Sequence, residues 1–283
     1  VRDMVGMEDA ASLIGYISMG MAVVPMFGPL IGGVLEEFFG WQAAFFVTLI
    51  FGTFVFVLVF FDMGETNKAR SRSIGEQFKA YPELFRSRRF WGYALSAAFT
   101  SGAFFAFLGG APYISINMLG LSPSELGAYF ALTAIGYMLG NYFSGRYSKR
   151  IGINRMMLLG NVVAGTGMIM AIITFAAGAT HPLAFFGFMA FVGLGNGISL
   201  PNANAGVVSV RPHLAGSASG LGGALMIGGG AALSVLSGAA LGPETGPYPL
   251  LCIMLVSSIL GACAALYVMR VAKQADRELG ETA

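Results

Sequence analysis

The residues of this chain that could do chemistry are neutral and embedded in apolar sequence. Asn196 stands in Gly193-Leu194-Gly195-Asn196-Gly197-Ile198-Ser199-Leu200-Pro201-Asn202-Ala203-Asn204. Its carboxamide offers hydrogen-bond donors and an acceptor, a recognition group rather than a nucleophile or a proton carrier. Pro201 deprives the carbonyl of Gly197 of its helical partner, and the three glycines around Asn196 weaken the helix further. Irregular polar backbone at membrane depth is tolerated only inside protein or against a water-filled cavity. Asn196 therefore either lines such a cavity or hydrogen-bonds a neighbouring helix.

Two other stretches carry compatible groups. One holds Phe99, Thr100, Ser101, Phe104, Phe105 and Phe107, then Gly109, Gly110, Pro112 and Tyr113. The other places Thr133, Tyr137 and Asn141 at i, i+4 and i+8, a polar stripe on an apolar helix. Such stripes face protein or water rather than lipid. With Asn196 and Asn202 they give a candidate binding set of Phe104, Phe105, Tyr113, Thr133, Tyr137 and Asn141. An aromatic, neutral lining suits amphiphilic organic molecules better than ions or sugars. Taken singly, the phenylalanines read first as lipid-facing or core residues.

Catalytic and metal chemistry lack their parts. No clustered nucleophile, acid or metal-ligand spacing is visible, so no enzyme, metal site or cofactor is expected. His181 and His213 lie in opposite loops and read as solvated. Cys252 and Cys263 share one apolar run, roughly 16 Å apart if helical, too far to pair with each other. No Asp, Glu, Lys, Arg or His lies inside any apolar run, whereas proton relays in transporters usually rest on such groups.

The elements that position these residues are membrane spans. Hydrophobic residues make up 56% of the chain and charged residues 11%, an excess that a water-soluble core of this length cannot hide. A span needs ~20 mostly apolar residues, and eight are expected, at about 12–35, 41–61, 91–115, 125–145, 156–178, 183–207, 215–240 and 249–269. The fold class is an all-α polytopic membrane protein.

Charge then orients the spans. All 16 Lys and Arg residues fall in connectors on one side, from Arg2 through Lys68–Arg89, Arg146–Arg155 and Arg211 to Arg270–Arg277. The alternate connectors, near 36–40, 116–124, 179–182 and 241–248, carry none. Positive charge stays cytoplasmic during insertion, so both ends of this chain are expected in the cytoplasm. Membrane flanks explain the basic residues already, and no nucleic-acid partner is expected. The longest connector, 62–90, places Ile74, Phe78, Tyr81 and Phe85 at helical spacing; it reads either as a helix lying on the membrane surface or as a solvated linker. It divides the chain into 1–61 with two spans, the linker 62–90, a six-span bundle over 91–270 and a tail over 271–283.

Glycine is unevenly used. Gly216, Gly220, Ala224 and Gly228 repeat every four residues in the seventh span, which reads as a face for close helix packing. In the first span, Pro25-x-x-Gly28-Pro29-x-x-Gly32-Gly33 predicts a kinked, tightly packed helix. After the fourth span the loop reads Gly145-Arg146-Tyr147-Ser148-Lys149-Arg150-Ile151-Gly152-Ile153-Asn154-Arg155.

These motifs resemble a known family. The Pro25–Gly33 pattern resembles the antiporter motif in the fifth helix of drug exporters of the major facilitator superfamily. The loop with Gly145, Arg146, Arg150 and Gly152 resembles that superfamily's cytoplasmic loop signature, although Lys149 stands where an acid is usual. Further segments look like the Bcr/CflA group of bacterial drug exporters: Ser87-Arg88-Arg89-Phe90, Phe104-Phe105-Ala106-Phe107, Gly195-Asn196-Gly197 through Leu200-Pro201-Asn202-Ala203, and Leu214-Ala215-Gly216-Ser217-Ala218-Ser219-Gly220. The resemblance implies twelve helices in two halves, of which this chain looks like helices five to twelve. It implies a bacterial inner-membrane monomer that exports drugs or other small amphiphilic molecules in exchange for protons, by alternating access. The proton-coupling acid is then expected upstream of Val1. A truncated, non-transporting product, or an exporter of an endogenous metabolite, is the competing expectation.

Overall fold

The computed structural model describes residues 28–62, 81–211 and 214–281, with side-chain surroundings as far as 274. Pro25 and the early part of the first expected span lie outside the described residues, as do Ile74 and Phe78 of the expected surface helix. Among the described residues the regular structure is all helical. The elements are α1 (28–39), α2 (Gln42–Asp62), α3 (81–86), α4 (Arg88–Tyr113), α5 (Pro123–Ile151), α6 (Ile153–Ala176), α7 (Pro182–Ser209), α8 (Ala215–Ala240) and α9 (Tyr248–Glu281). Six of them are long and apolar enough to cross a membrane. The expected fourth span is a helix of 29 residues, α5, but its tyrosines and Asn141 make it less apolar than the others.

Local sequence explains the helix ends. Ser122 and Glu125 form a capping box at the start of α5: Glu125 N–H donates to Ser122 Oγ at 3.3 Å and Ser122 N–H donates to Glu125 Oε2 at 2.9 Å. Pro123 fits between them because the first helical turn needs no N–H from that residue. Ser87 caps α4 by accepting from Phe90 N–H at 3.3 Å. His181, expected as a merely solvated residue, is exposed but caps α7 through Nδ1, which accepts from Leu183 N–H at 3.1 Å. Beyond Pro112, the end of α4 loosens into a π-helical turn, Ile114–Met118.

The residues form two compact units, one of Val1–Ser73 with Leu121–Ala131 and one of Ile74–Gly120 with Leu132–Ala283. In the first, α1 meets the start of α5. Gly33 lies against the Pro123 carbonyl, and a Cβ on Gly127 would stand 2.6 Å from the Pro29 carbonyl oxygen. Gly28 and Gly32 of the same motif touch nothing comparable among the described residues. Helix α2 has no buried residue within its unit and shows Phe45, Phe46, Leu49, Phe56 and Phe60 outward, an all-round apolar helix of the kind lipid stabilises.

The second unit is built on α4 and α7. At its basic end Leu84, Phe90, Tyr93, Met157, Val207 and Val268 close the core. Deeper, Phe107 contacts the rings of Phe185 and Phe186 at 6.1 and 6.2 Å, so this phenylalanine is core. Helix α3 contributes the fully buried Leu84, and its Glu83 accepts from Arg211 Nε at 2.8 Å.

Three expectations change here. The expected loop Gly145–Arg155 is mostly helix: α5 continues to Ile151 and α6 starts at Ile153. Only Gly152 breaks the path, at φ 91°, the left-handed region open to glycine. Arg146 and Arg150 sit exposed on the last turns of α5, and Gly145 has open space around it. Secondly, α7 runs unbroken through Pro201, where a discontinuity was expected. Helices packed closely on both sides hold it together, as neighbours can in a bundle. Thirdly, the face of Gly216, Gly220 and Gly228 on α8 packs against nothing within 4 Å among the described residues. The α8 glycines that pack most closely are Gly222, on Val207, and Gly230, on the Phe105 ring.

Candidate functional site

The candidate site lies on the seam between α5 and α7. Glycines alternate across it: Gly193 of α7 rests on the Thr133 carbonyl and Gly197 on the Tyr137 carbonyl, while Gly136 and Gly140 of α5 rest on the Ala190 and Leu194 carbonyls. A Cβ at any of the four would meet backbone, so the two helices run in backbone contact. On another side of α7, Gly195 meets Gly160 of α6 in the same way. The sequence Gly193-x-Gly195-Asn196-Gly197 is thus explained by neighbours on two sides. As a result Gly195–Ser199 are all buried.

Asn196 is 3% exposed and Thr133 2% exposed. Asn196 Oδ1 and Thr133 Oγ1 are the buried side-chain polar atoms left without a hydrogen-bond partner among the described residues. Each such atom forgoes a bond that burial makes expensive to lose, about 1–3 kcal/mol. The two lie within about a helical turn along the seam, because Gly193 on the Thr133 carbonyl precedes Asn196 by three residues. Of the alternative expectation, an interhelical hydrogen bond from Asn196, the oxygen takes no part among the described residues.

The remaining candidates divide. Asn202 is buried and engaged: its Nδ2 donates to Ser144 Oγ at 2.8 Å and to the Ile198 carbonyl at 2.7 Å, tying α7 to α5. Phe105 is half-buried with its ring in the notch of Gly230. Phe104, Tyr113, Tyr137 and Asn141 are half-buried, and Asn141 Nδ2 donates to the Tyr137 carbonyl at 2.8 Å. The structure therefore gives Asn202 and Phe105 packing duties.

One polar group escaped sequence reading. Asn161 of α6 is buried, with Oδ1 accepting from Thr100 Oγ1 of α4 at 3.1 Å and Nδ2 donating to Ser199 Oγ of α7 at 3.2 Å. Thr100 and Ser199 are also 3.2 Å apart, and Gly261 of α9 makes room for the amide. The signal was present: a lone carboxamide in the middle of an apolar span faces protein, not lipid. Among the described residues no group of His, Cys, Asp and Glu could hold a metal, and both cysteines are free.

The chain matches the sequence profile of the Major Facilitator Superfamily over residues 1–235 and 111–283. It is 25% identical over 240 residues to a bicyclomycin resistance protein homolog of Haemophilus influenzae, covering 83% of this chain and 60% of that protein. It is 26% identical to a chloramphenicol resistance protein of Pseudomonas aeruginosa, covering 92% of this chain and 62% of that one. It is 28% identical to multidrug resistance protein D of Escherichia coli, with 86% and 61% covered. The chain thus spans about 60% of the length of these relatives. Among solved structures, a bacterial homolog of the human lysosomal transporter Spinster, in an inward-facing, unoccupied conformation, aligns with a TM-score of 0.66 at 17% identity, covering 96% of this chain and 72% of that one. The long apolar helices and these matches make this a bacterial multi-pass membrane protein of a transport family, not an enzyme, and the chain belongs to the Major Facilitator Superfamily.

Proposed function

We propose that the chain is part of a secondary active transporter that exports small amphiphilic organic molecules, drugs among them, by alternating access. The observation that carries this reading is the pair of buried, unpartnered oxygens, Asn196 Oδ1 and Thr133 Oγ1, on one close-packed seam. Nothing in packing requires a free acceptor there, since valine and leucine would fill the space without the penalty. A substrate that donates a hydrogen bond would remove that penalty on binding, with aromatic groups such as Tyr137 and Phe104 offering the apolar contact. Relatives named for bicyclomycin, chloramphenicol and multidrug resistance support drugs as the substrate class and the Bcr/CflA group as the nearest assignment.

The remainder of the proposal is topological and energetic. The basic end of the helices is taken as cytoplasmic by the positive-inside rule, in a bacterial inner membrane, with the protein acting as a monomer. Residues 1–61 and 91–270 are taken as parts of two helical halves joined by 62–90. The proton is the proposed coupling ion. Among the described spans no interior Asp, Glu, Lys, Arg or His could carry it, so a carrier is sought outside the described residues.

Asn196→Ala is expected to change the pattern of compounds exported while leaving membrane levels of the protein near normal. Accumulation of several drugs in cells matched for protein level measures this. Unchanged export across all of them would remove Asn196 from the substrate path.

A further inference from the structure

A groove of 460 Å³ runs down the outside of the second unit between α4 and α9. Its lining changes along its length. At the basic end it is bordered by Phe85, Arg86, Arg88 and Trp91, and deeper in by Leu95, Phe99 and Leu260. From Arg88 to Phe99 is eleven residues of helix, roughly 16 Å, which is about the depth of one hydrocarbon leaflet. The floor is low because Gly92 lets α9 close in: a Cβ there would stand 2.7 Å from Val268 Cβ. We propose that this groove is a binding site for one anionic phospholipid, its phosphate on Arg86 and Arg88 and an acyl chain along Leu95, Phe99 and Leu260.

Charge complementarity selects that occupant over a neutral lipid. Arg86 and Arg88 are exposed, and neither has an ion-pair or hydrogen-bond partner among the described residues. Arg88 and Arg89 open α4. Cations there face the positive end of the helix dipole, an unfavourable placement that a phosphate reverses. Trp91 and Tyr267 border the same end, where amphipathic rings suit the lipid headgroup level. Trp91 is held in place, its Nε1 donating to the Phe85 carbonyl at 2.8 Å and its ring 5.7 Å from that of Phe85. Basic grooves between membrane helices at this level bind anionic headgroups, and each arginine near the surface is worth about fivefold in affinity. The site concerns the membrane-embedded protein and does not rest on the export reading.

The chain contains two tryptophans, Trp41 and Trp91, so Trp41→Phe leaves Trp91 as a reporter inside the groove. This variant, in phosphatidylcholine vesicles, is titrated with brominated phosphatidylglycerol or brominated phosphatidylcholine while tryptophan quenching is followed. The glycerol lipid is expected to compete for the Trp91 site at least about fivefold better. Adding Arg86→Gln and Arg88→Gln is expected to bring the ratio close to one. Adding Arg155→Gln and Lys273→Gln instead, in the cleft lined by Ile151, Arg155, Met269 and Lys273, is expected to leave it unchanged. Equal quenching by the two lipids overturns the proposal even if the arginine variants fail to fold. An equal loss of preference in both double variants also overturns it, as the field of the whole basic face would then suffice. Loss of the preference in millimolar inorganic phosphate overturns it in favour of a free-anion site.

Discussion

Gly193→Ala is expected to be the most damaging single-methyl change in the chain. Its Cβ would land on the Thr133 carbonyl, and 2.9 Å from both the Thr133 carbonyl carbon and the Tyr137 nitrogen. Backbone inside a helix cannot rotate aside as a side chain can, so α5 and α7 must separate. Separation also loosens the other three glycine contacts on the seam, because a rigid helix moves as a unit. In lipid there is no hydrophobic gain to hold the helices together, and close packing is a main source of their association. Overpacking of a tight site costs about 1–3 kcal/mol, and this substitution is expected at the upper end. Gly220→Ala is the matched control. It has no described neighbour within 4 Å, and alanine favours a helix over glycine by up to about 1 kcal/mol. Thermal unfolding in detergent should separate the two clearly, with the melting temperature lowered only at Gly193. Equal melting temperatures would sink the close-packed seam.

Asn161→Ala is expected to follow, at about 2 kcal/mol. The amide joins α6 to Thr100 of α4 and to Ser199 of α7. Its loss leaves a cavity beside Gly261 and two hydroxyls with only each other as side-chain partners. Interhelical hydrogen bonds inside membranes average about 0.6 kcal/mol and reach about 1.7, so the bond alone does not supply the full effect. Cavity formation supplies the remainder. A double-mutant cycle with Thr100→Val separates the two contributions by the same unfolding assay. A coupling energy of zero between positions 100 and 161 would contradict the hydrogen-bonded cluster.

The binding set read from sequence separates in an instructive way. Asn196, Asn202 and Thr133 look alike as polar residues in apolar helices. Asn202 finds Ser144, whereas the oxygens of Asn196 and Thr133 find no partner among the described residues. That difference depends on which residue of another helix stands opposite, and no local pattern encodes it. Asn161 is not marked locally for the complementary reason: it belongs to no polar stripe, and its partners come from α4 and α7.

The amino-acid sequence by itself determined the membrane class, the approximate places of the helices from α2 onward and the gathering of the described basic residues of the second unit at one end. Each of these depends on the length of an apolar run or the charge of a connector, which are local quantities. Only the tertiary structure decided which glycines are contacts, selecting, among the described residues, Gly193 and Gly197 over Gly216, Gly220 and Gly228. It also decided which polar groups are paired. In a membrane bundle the side of a helix facing lipid is as apolar as the side facing its neighbours. Periodicity therefore cannot give the rotation of a helix about its axis, and packing against specific partners sets it.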